Sequence, residues 1–325
     1  AGADPAAAVA EARALMEAGR READPRLAGR ALARLARWQA DPRAPAGVVV
    51  VLADIEQHLH RFDSAVSRLD ALVQREPGHA QAWLMLATLH RVQGRYGPSD
   101  AACRQLLRLN AGPYGEACAA ENLALQGGFD PARQSLQEQI ARTPSPSTRA
   151  WLLTTLAELE LRAGRPAAAE QAFKRSLATA REGYTALAYA DFLLQHQRPR
   201  EAWSLLQPEP RSDATLLRLA LAARQSGLPE AAALDAELRA RFAAADLRPG
   251  WSGHERERAW MALEIDRDPR AALKAARANV ARQREPADLL LLARSAQAAG
   301  DAAALEEARE LARRIGMQDR RLSML

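Results

Sequence analysis

The residue types that could do chemistry are few in this sequence and poorly spaced for it. His58 and His60, with His90 further on, come nearest to a metal-ligating set. Residues two apart on a helix point to different faces, so His58 and His60 make a poor chelating pair. Gly127-Gly128 lacks the lysine that a phosphate-cradling loop requires and reads as the end of a helix. No Cys-x-x-Cys occurs, and no serine sits in a nucleophile elbow. The carboxylate pairs Glu158/Glu160 and Glu306/Glu307 read as solvated helix faces. Trp251, His254 and Arg258 gather around the 246–258 loop, where the alternatives are a small-molecule or enzymatic site and a plain connection. The expectation is no enzyme, no metal and no cofactor.

The elements that would hold such residues are helices. Alanine and leucine are abundant and aromatics make up 5%, which favours helix over strand. Between Ala80 and Ala111, Trp83, Leu86 and Leu89 recur at a spacing of three, with His90 one residue on, and form one stripe. Gly94 ends that helix, because glycine enters the left-handed region without a side-chain clash. Tyr96 and Pro98 open a second helix carrying Ala102, Leu106, Leu107 and Leu109.

The same pattern recurs at about 34 residues, the mark of stacked repeats. Val49, Leu52, Ala53, Phe62 and Leu69 precede Trp83, Leu86, Ala87, Tyr96 and Cys103 by one period. Later units are marked by Gly127-Gly128-Phe129, Gly164-Arg165-Pro166, Arg198-Pro199, Gly227-Leu228-Pro229, Asp268-Pro269 and Gly300-Asp301. Asp24-Pro25 followed by Gly29 marks a degenerate first unit. On these residues the chain resembles the tetratricopeptide repeat family over about residues 10–315, most closely at 46–145. The resemblance implies an all-α, right-handed superhelical solenoid of about nine antiparallel helix hairpins. It forms one domain over 1–325, with units near 10–45, 46–79, 80–112, 113–149, 150–182, 183–212, 213–252, 253–285 and 286–318. Gln207-Pro208-Glu209-Pro210 should cut one second helix short, and Leu247–Gly253 should form a longer joint.

In this family the first helix of each hairpin lines the inner groove. With Trp83 at position four, position nine gives Asp54, Thr88, Glu121, Glu158 and Asp191, and position two gives Gln81, Tyr114, Trp151 and Tyr184. Further along come Arg218, Arg224 and Arg258, then Arg294 in the last unit. The groove would be acidic and aromatic in its middle and basic towards its C-terminal part. Aromatics and arginine are the types that anchor binding. The alternative is that these faces are merely polar, with Trp151 and Tyr184 in the core. The resemblance implies a non-enzymatic scaffold that takes a peptide or protein segment in its groove. The rival is an assembly element that self-associates through its ends, as a monomer or weak oligomer otherwise.

The net charge of +5 is spread thinly over 325 residues. The arginines alternate with acidic residues and alanine, so no basic stripe marks a nucleic-acid binder. The longest apolar run, Val48–Ala53, is far too short to span a membrane. The chain opens on Ala1-Gly2-Ala3, which reads as a removed leader or a trimmed start. Cys103 falls on the second helix of one hairpin and Cys118 on the first helix of the next, about equally far from the bend at Asn110–Pro113. They can form a disulfide or remain two buried thiols. A disulfide would fit a bacterial periplasmic or otherwise exported protein; the alternative is cytoplasmic.

Overall fold

The computed structural model describes residues 4–247 and 254–325, and these are helical throughout, with no strand among them. The helices pair as antiparallel hairpins in chain order. The first hairpin is α1 (Pro5–Glu22) with α2 (Arg26–Arg34). Next come α3 (Ala46–His58) with α4 (Phe62–Arg75), and α5 (Ala80–Val92) with α6 (Tyr96–Arg108). The fourth and fifth are α7 (Pro113–Leu125) with α8 (Phe129–Arg142) and α9 (Pro146–Arg162) with α10 (Pro166–Thr179). They are followed by α11 (Gly183–Gln195) with α12 (Pro199–Leu206) and α13 (Asp213–Ser226) with α14 (Ala231–Asp246). The last two are α15 (Glu255–Trp260) with α16 (Pro269–Val280) and α17 (Pro286–Ala298) with α18 (Ala302–Ile315). A short α19 (Arg320–Ser323) ends the chain.

Each hairpin turns on one residue in the left-handed region. Where that residue is Gly94, Gly127, Gly164, Gly227 or Gly300, no side chain opposes it; Ala23, His60, Gln197 and Arg267 serve in the other hairpins. The stripes expected from the sequence are buried: Leu86, Leu89, Ala102 and Leu106 are all within 2% exposure. Leu107 and Leu109 differ. Leu107 is one residue off the Leu106 stripe and Leu109 lies just past the end of α6, and both are exposed. The helix α12 stops at Leu206, where Pro208 and Pro210 leave backbone acceptors without donors. The long joint expected at Leu247–Gly253 lies, after Leu247, outside the described residues.

The stack is curved, and the curvature has a measurable sense. The first helices of successive hairpins touch one another: α5 packs on α7, α7 on α9, and α11 on α13, while second helices meet mainly their sequence neighbours. The first helices therefore form the tighter, inner row. The apolar interior runs lengthwise through the stack, from Met16 and Leu35 to Leu311, with no single centre.

The superhelix expected from the sequence also makes contact with itself. After six hairpins the stack comes back on itself, and its last units sit on the turns of its early ones. The Arg284 amide donates to the Val92 carbonyl at 2.7 Å, and the Gln318 amide donates to the Leu125 carbonyl at 2.8 Å. Tyr96 and Leu125 share an apolar cluster with Leu289, Met317 and Leu322. A Cβ on Gly94 would stand 3.1 Å from Ile315 and 3.2 Å from Arg284, and one on Gly127 would stand 3.0 Å from Gln318. These turn glycines thus also admit the close approach of the C-terminal units. The tail from Asp319 does not cap the open end of the stack; α19 packs against α9 in the fifth hairpin.

Candidate functional site: the inner row and its lumen

The inner helices line the hollow of the curve, here called the lumen, and the seam crosses their C-terminal ends. The seam lies at the C-terminal ends of α3, α5, α7 and α9, so their N-terminal ends form the open mouth. Positions two and nine are seven residues apart, two helical turns, so they share a face and are separated by roughly 10 Å of depth. Tyr114, Trp151 and Tyr184 stand at the mouth. Tyr114 and Tyr184 are 42% and 64% exposed, and Trp151 is half-buried with its ring 5.7 Å from that of Tyr114. Tyr184 is not a core residue, whereas Trp151 also packs on the apolar cluster of the middle hairpins.

Below the rim, the acidic residues at position nine are partnered one by one with arginines of a neighbouring inner helix. Asp54 faces Arg20 at 3.9 Å. Glu121 pairs with Arg91 at 3.0 Å. Asp191 holds Arg218 in a two-pronged contact at 2.6 and 2.7 Å, with the guanidinium also over the Trp260 ring at 5.0 Å. Arg294 continues the row with Glu264 at 2.5 Å. Long cations from one hairpin thus tie down the next, and the inner surface is far less charged than its composition suggests.

Glu158 breaks the pattern. Among the described residues it makes no ion pair, and its partner is the Tyr184 hydroxyl, which donates at 2.6 Å. Its carboxyl is held above the usual range, first by burial and then by the charges of Glu121 and Glu285, against the pull of Tyr184 and Arg162. The Tyr184 phenol is pushed well up, first by the Glu158 charge and then by burial.

The remaining expected residues are placed elsewhere. Arg224 is engaged with Asp235 on α14 of its own hairpin, and not with the lumen. Arg258 stacks over Phe242 at 4.9 Å and reaches Asp246 at 2.6 Å, so it belongs to the joint between α14 and α15. His254 stands near Asp213 at 3.5 Å and also packs on Phe242. Both side chains border the turn between the seventh and eighth hairpins, where a cleft of about 430 Å³ opens between Glu22–Arg26 and Asp213, Arg241 and His254. Trp251, the third member of that group, lies outside the described residues. Glu160 is not a solvated carboxylate: it is 4% exposed and held by Arg133 at 2.6 Å and Arg165 at 2.5 Å. Glu306 and Glu307 do lie on exposed faces, paired with Arg313 and Arg277.

No group of three metal-ligating side chains occurs among the described residues. No described helix is long and apolar enough to cross a membrane. Cys103 and Cys118 are joined by a disulfide across the Asn110–Pro113 bend, with Cα atoms 5.5 Å apart. Beside it, the buried amide of Asn122 donates to Ser99 at 2.9 Å and Asp100 at 2.8 Å, knitting the third and fourth hairpins together. Sequence reasoning named Arg218 and Arg294 of this row but missed Arg20 and Arg91, and it missed the pairing of each with a carboxylate. Their signal was an arginine on an inner face about 30 residues from an inner carboxylate.

No family model and no curated protein matches the chain. Solved structures do. A Rap protein complexed with competence and sporulation factor is 12% identical over 100% of this chain and 89% of that one, with a TM-score of 0.55. A human IFIT1 dimer with m7Gppp-AAAA is 15% identical over 96% of this chain and 72% of that one, with a TM-score of 0.53. A thermophilic tetratricopeptide protein of Thermus thermophilus is 22% identical over 59% of this chain and 100% of that one, with a TM-score of 0.46. At these identities the likeness is one of fold. The chain has the fold of the tetratricopeptide-type helical-repeat solenoids.

Proposed function

We propose that this chain is a non-enzymatic scaffold that takes an extended segment of a partner protein into its lumen. The observation that carries the reading is the rim of Tyr114, Trp151 and Tyr184: large aromatic side chains left in contact with water at the mouth of the inner row. Aromatic side chains lose apolar contact with water when a partner covers them, and they lose little rotamer freedom doing so. The Rap structure of like fold is a complex with competence and sporulation factor. IFIT1, also alike in fold, is in complex with m7Gppp-AAAA. Here the inner arginines Arg91 and Arg218 are already engaged with carboxylates, which favours a protein segment over a polyanion. We propose an oxidising, exported compartment; the Cys103–Cys118 bond supports that reading.

The test uses immobilised pools of short peptides, each pool fixed for one residue type at its centre. The chain should be retained on some pools. The triple variant Tyr114→Ala, Trp151→Ala, Tyr184→Ala should keep its helicity and lose at least about tenfold in retention, the factor one lost aromatic anchor produces. No retention on any pool, or equal retention of the variant, would sink the proposal. The placement in an exported compartment falls if thiol labelling finds free Cys103 and Cys118 in protein taken from its source cell without reductant.

A further inference from the structure

Glu158 occupies the only place at position nine, among the carboxylates Asp54, Glu121, Glu158 and Asp191, where the arginine is missing. The neighbouring carboxylates each meet a guanidinium from the adjoining inner helix. At Glu158 the adjoining helix supplies the neutral hydroxyl of Tyr184 instead. The nearest cation on its own helix is Arg162, one turn further along α9. It makes no ion pair with Glu158, and two of its nitrogens are sealed in the protein without a partner. Of the charges that act on Glu158, Arg162 leads, opposed by Glu121 beside it and Glu285 from across the seam. A carboxylate in such a place gains more from an added cation than one already paired.

The approach to Glu158 has the same chemistry. Trp151 lies two turns above it on the same face of α9, Tyr114 stands against Trp151, and Tyr184 is bonded to the carboxylate itself. An aromatic rim above a carboxylate suits a long side chain with an apolar stem and a cationic head. The stem packs on the rings, the head meets their negative faces on the way in, and the carboxylate receives it. We propose that the lumen selects segments carrying a lysine or arginine, and that this side chain enters between Tyr114, Trp151 and Tyr184 to fill the missing cation position at Glu158. This rests on the peptide-binding reading above and adds the chemistry of the ligand to it.

The same peptide pools test it, read with the full chain and with Glu158→Gln. Glutamine keeps the shape and can still accept from Tyr184, so the fold has no reason to change. Pools fixed as lysine or arginine should retain about tenfold more of the parent chain than pools fixed as leucine or glutamate, the scale of one partly buried charge-assisted contact. In Glu158→Gln that preference should vanish, while retention on the leucine pool stays as it was. Retention without a preference for basic pools overturns this inference and leaves the peptide-binding scaffold standing. So does a preference that survives Glu158→Gln. Failure of every pool to retain the parent chain overturns both.

Discussion

Replacing Met317 and Leu322 by alanine tests whether the ring is fastened at the seam or is simply the resting curvature of the stack. Both side chains are buried, at 3% and 5% exposure, in the cluster they share with Tyr96 and Leu125 of the early hairpins. Truncating two such side chains would cost about 4–10 kcal/mol if the seam had to stay shut. The seam holds less than that. Its closure also seals the Tyr96 hydroxyl and two Arg162 nitrogens away from any partner, and each such group costs about 1–3 kcal/mol. The double variant should therefore let go of the seam before the hairpins melt. The assay is native-state hydrogen exchange, together with the radius of gyration in solution. The amides of Arg284 and Gln318, which cross the seam, should exchange at least about tenfold faster, equivalent to about 1.4 kcal/mol. The amide of Leu153, within the core of α9, should hold its rate, and the radius should grow. If the Arg284 and Gln318 amides keep their protection, or if Leu153 loses as much as they do, there is no separable seam.

Three further outcomes follow from residues already placed. Burial first, and then the Arg256 charge, depresses His60 from 6.5 to about 4. The unfolded chain therefore takes up this proton at a higher pH than the folded one. The stability that His60 contributes is complete above about pH 6.5 and is lost as the pH falls towards 4. Urea titrations of His60→Gln should show a shallower decline across that window; an unchanged slope would count against it, with His58 and His90, both also depressed by burial, left to carry the remainder. Reduction of Cys103–Cys118, which closes a loop of 15 residues, should lower stability by about 3 kcal/mol in urea with and without reductant. Leu86→Ala removes a side chain 1% exposed between α5 and its neighbours, and should cost about 2–5 kcal/mol in the same assay; a cost near zero would mean the hairpin register is wrong.

Much of the fold was legible in the sequence because its causes are local. Leu86, Leu89 and Leu106 repeat on one helix face, and Gly94 or its counterpart ends each first helix, so the hairpins and their order can be read from spacing alone. The Cys103–Cys118 pairing was legible as one of two options for the same reason: the bend between them is short. The aromatic residues at position two could be named from the repeat, since they share a helix face with position nine. Arg224 and Arg258 were misplaced. Arg224 lies six residues after Arg218 on α13, so it points to another face and meets Asp235 of α14, while Arg258 falls at the longer joint between α14 and α15.

Local pattern could not supply the closure. Whether the stack passes itself or lands on itself depends on a small rotation per hairpin summed over six of them, and no single residue encodes that sum. Once it lands, Arg284 meets Val92 from 192 residues away and Gln318 meets Leu125, contacts with no periodic signature. The same holds at Glu158. Its place on the inner face was set by its position in the repeat. That it lacks an arginine where Glu121 and Asp191 have one emerged only when neighbouring helices were brought side by side.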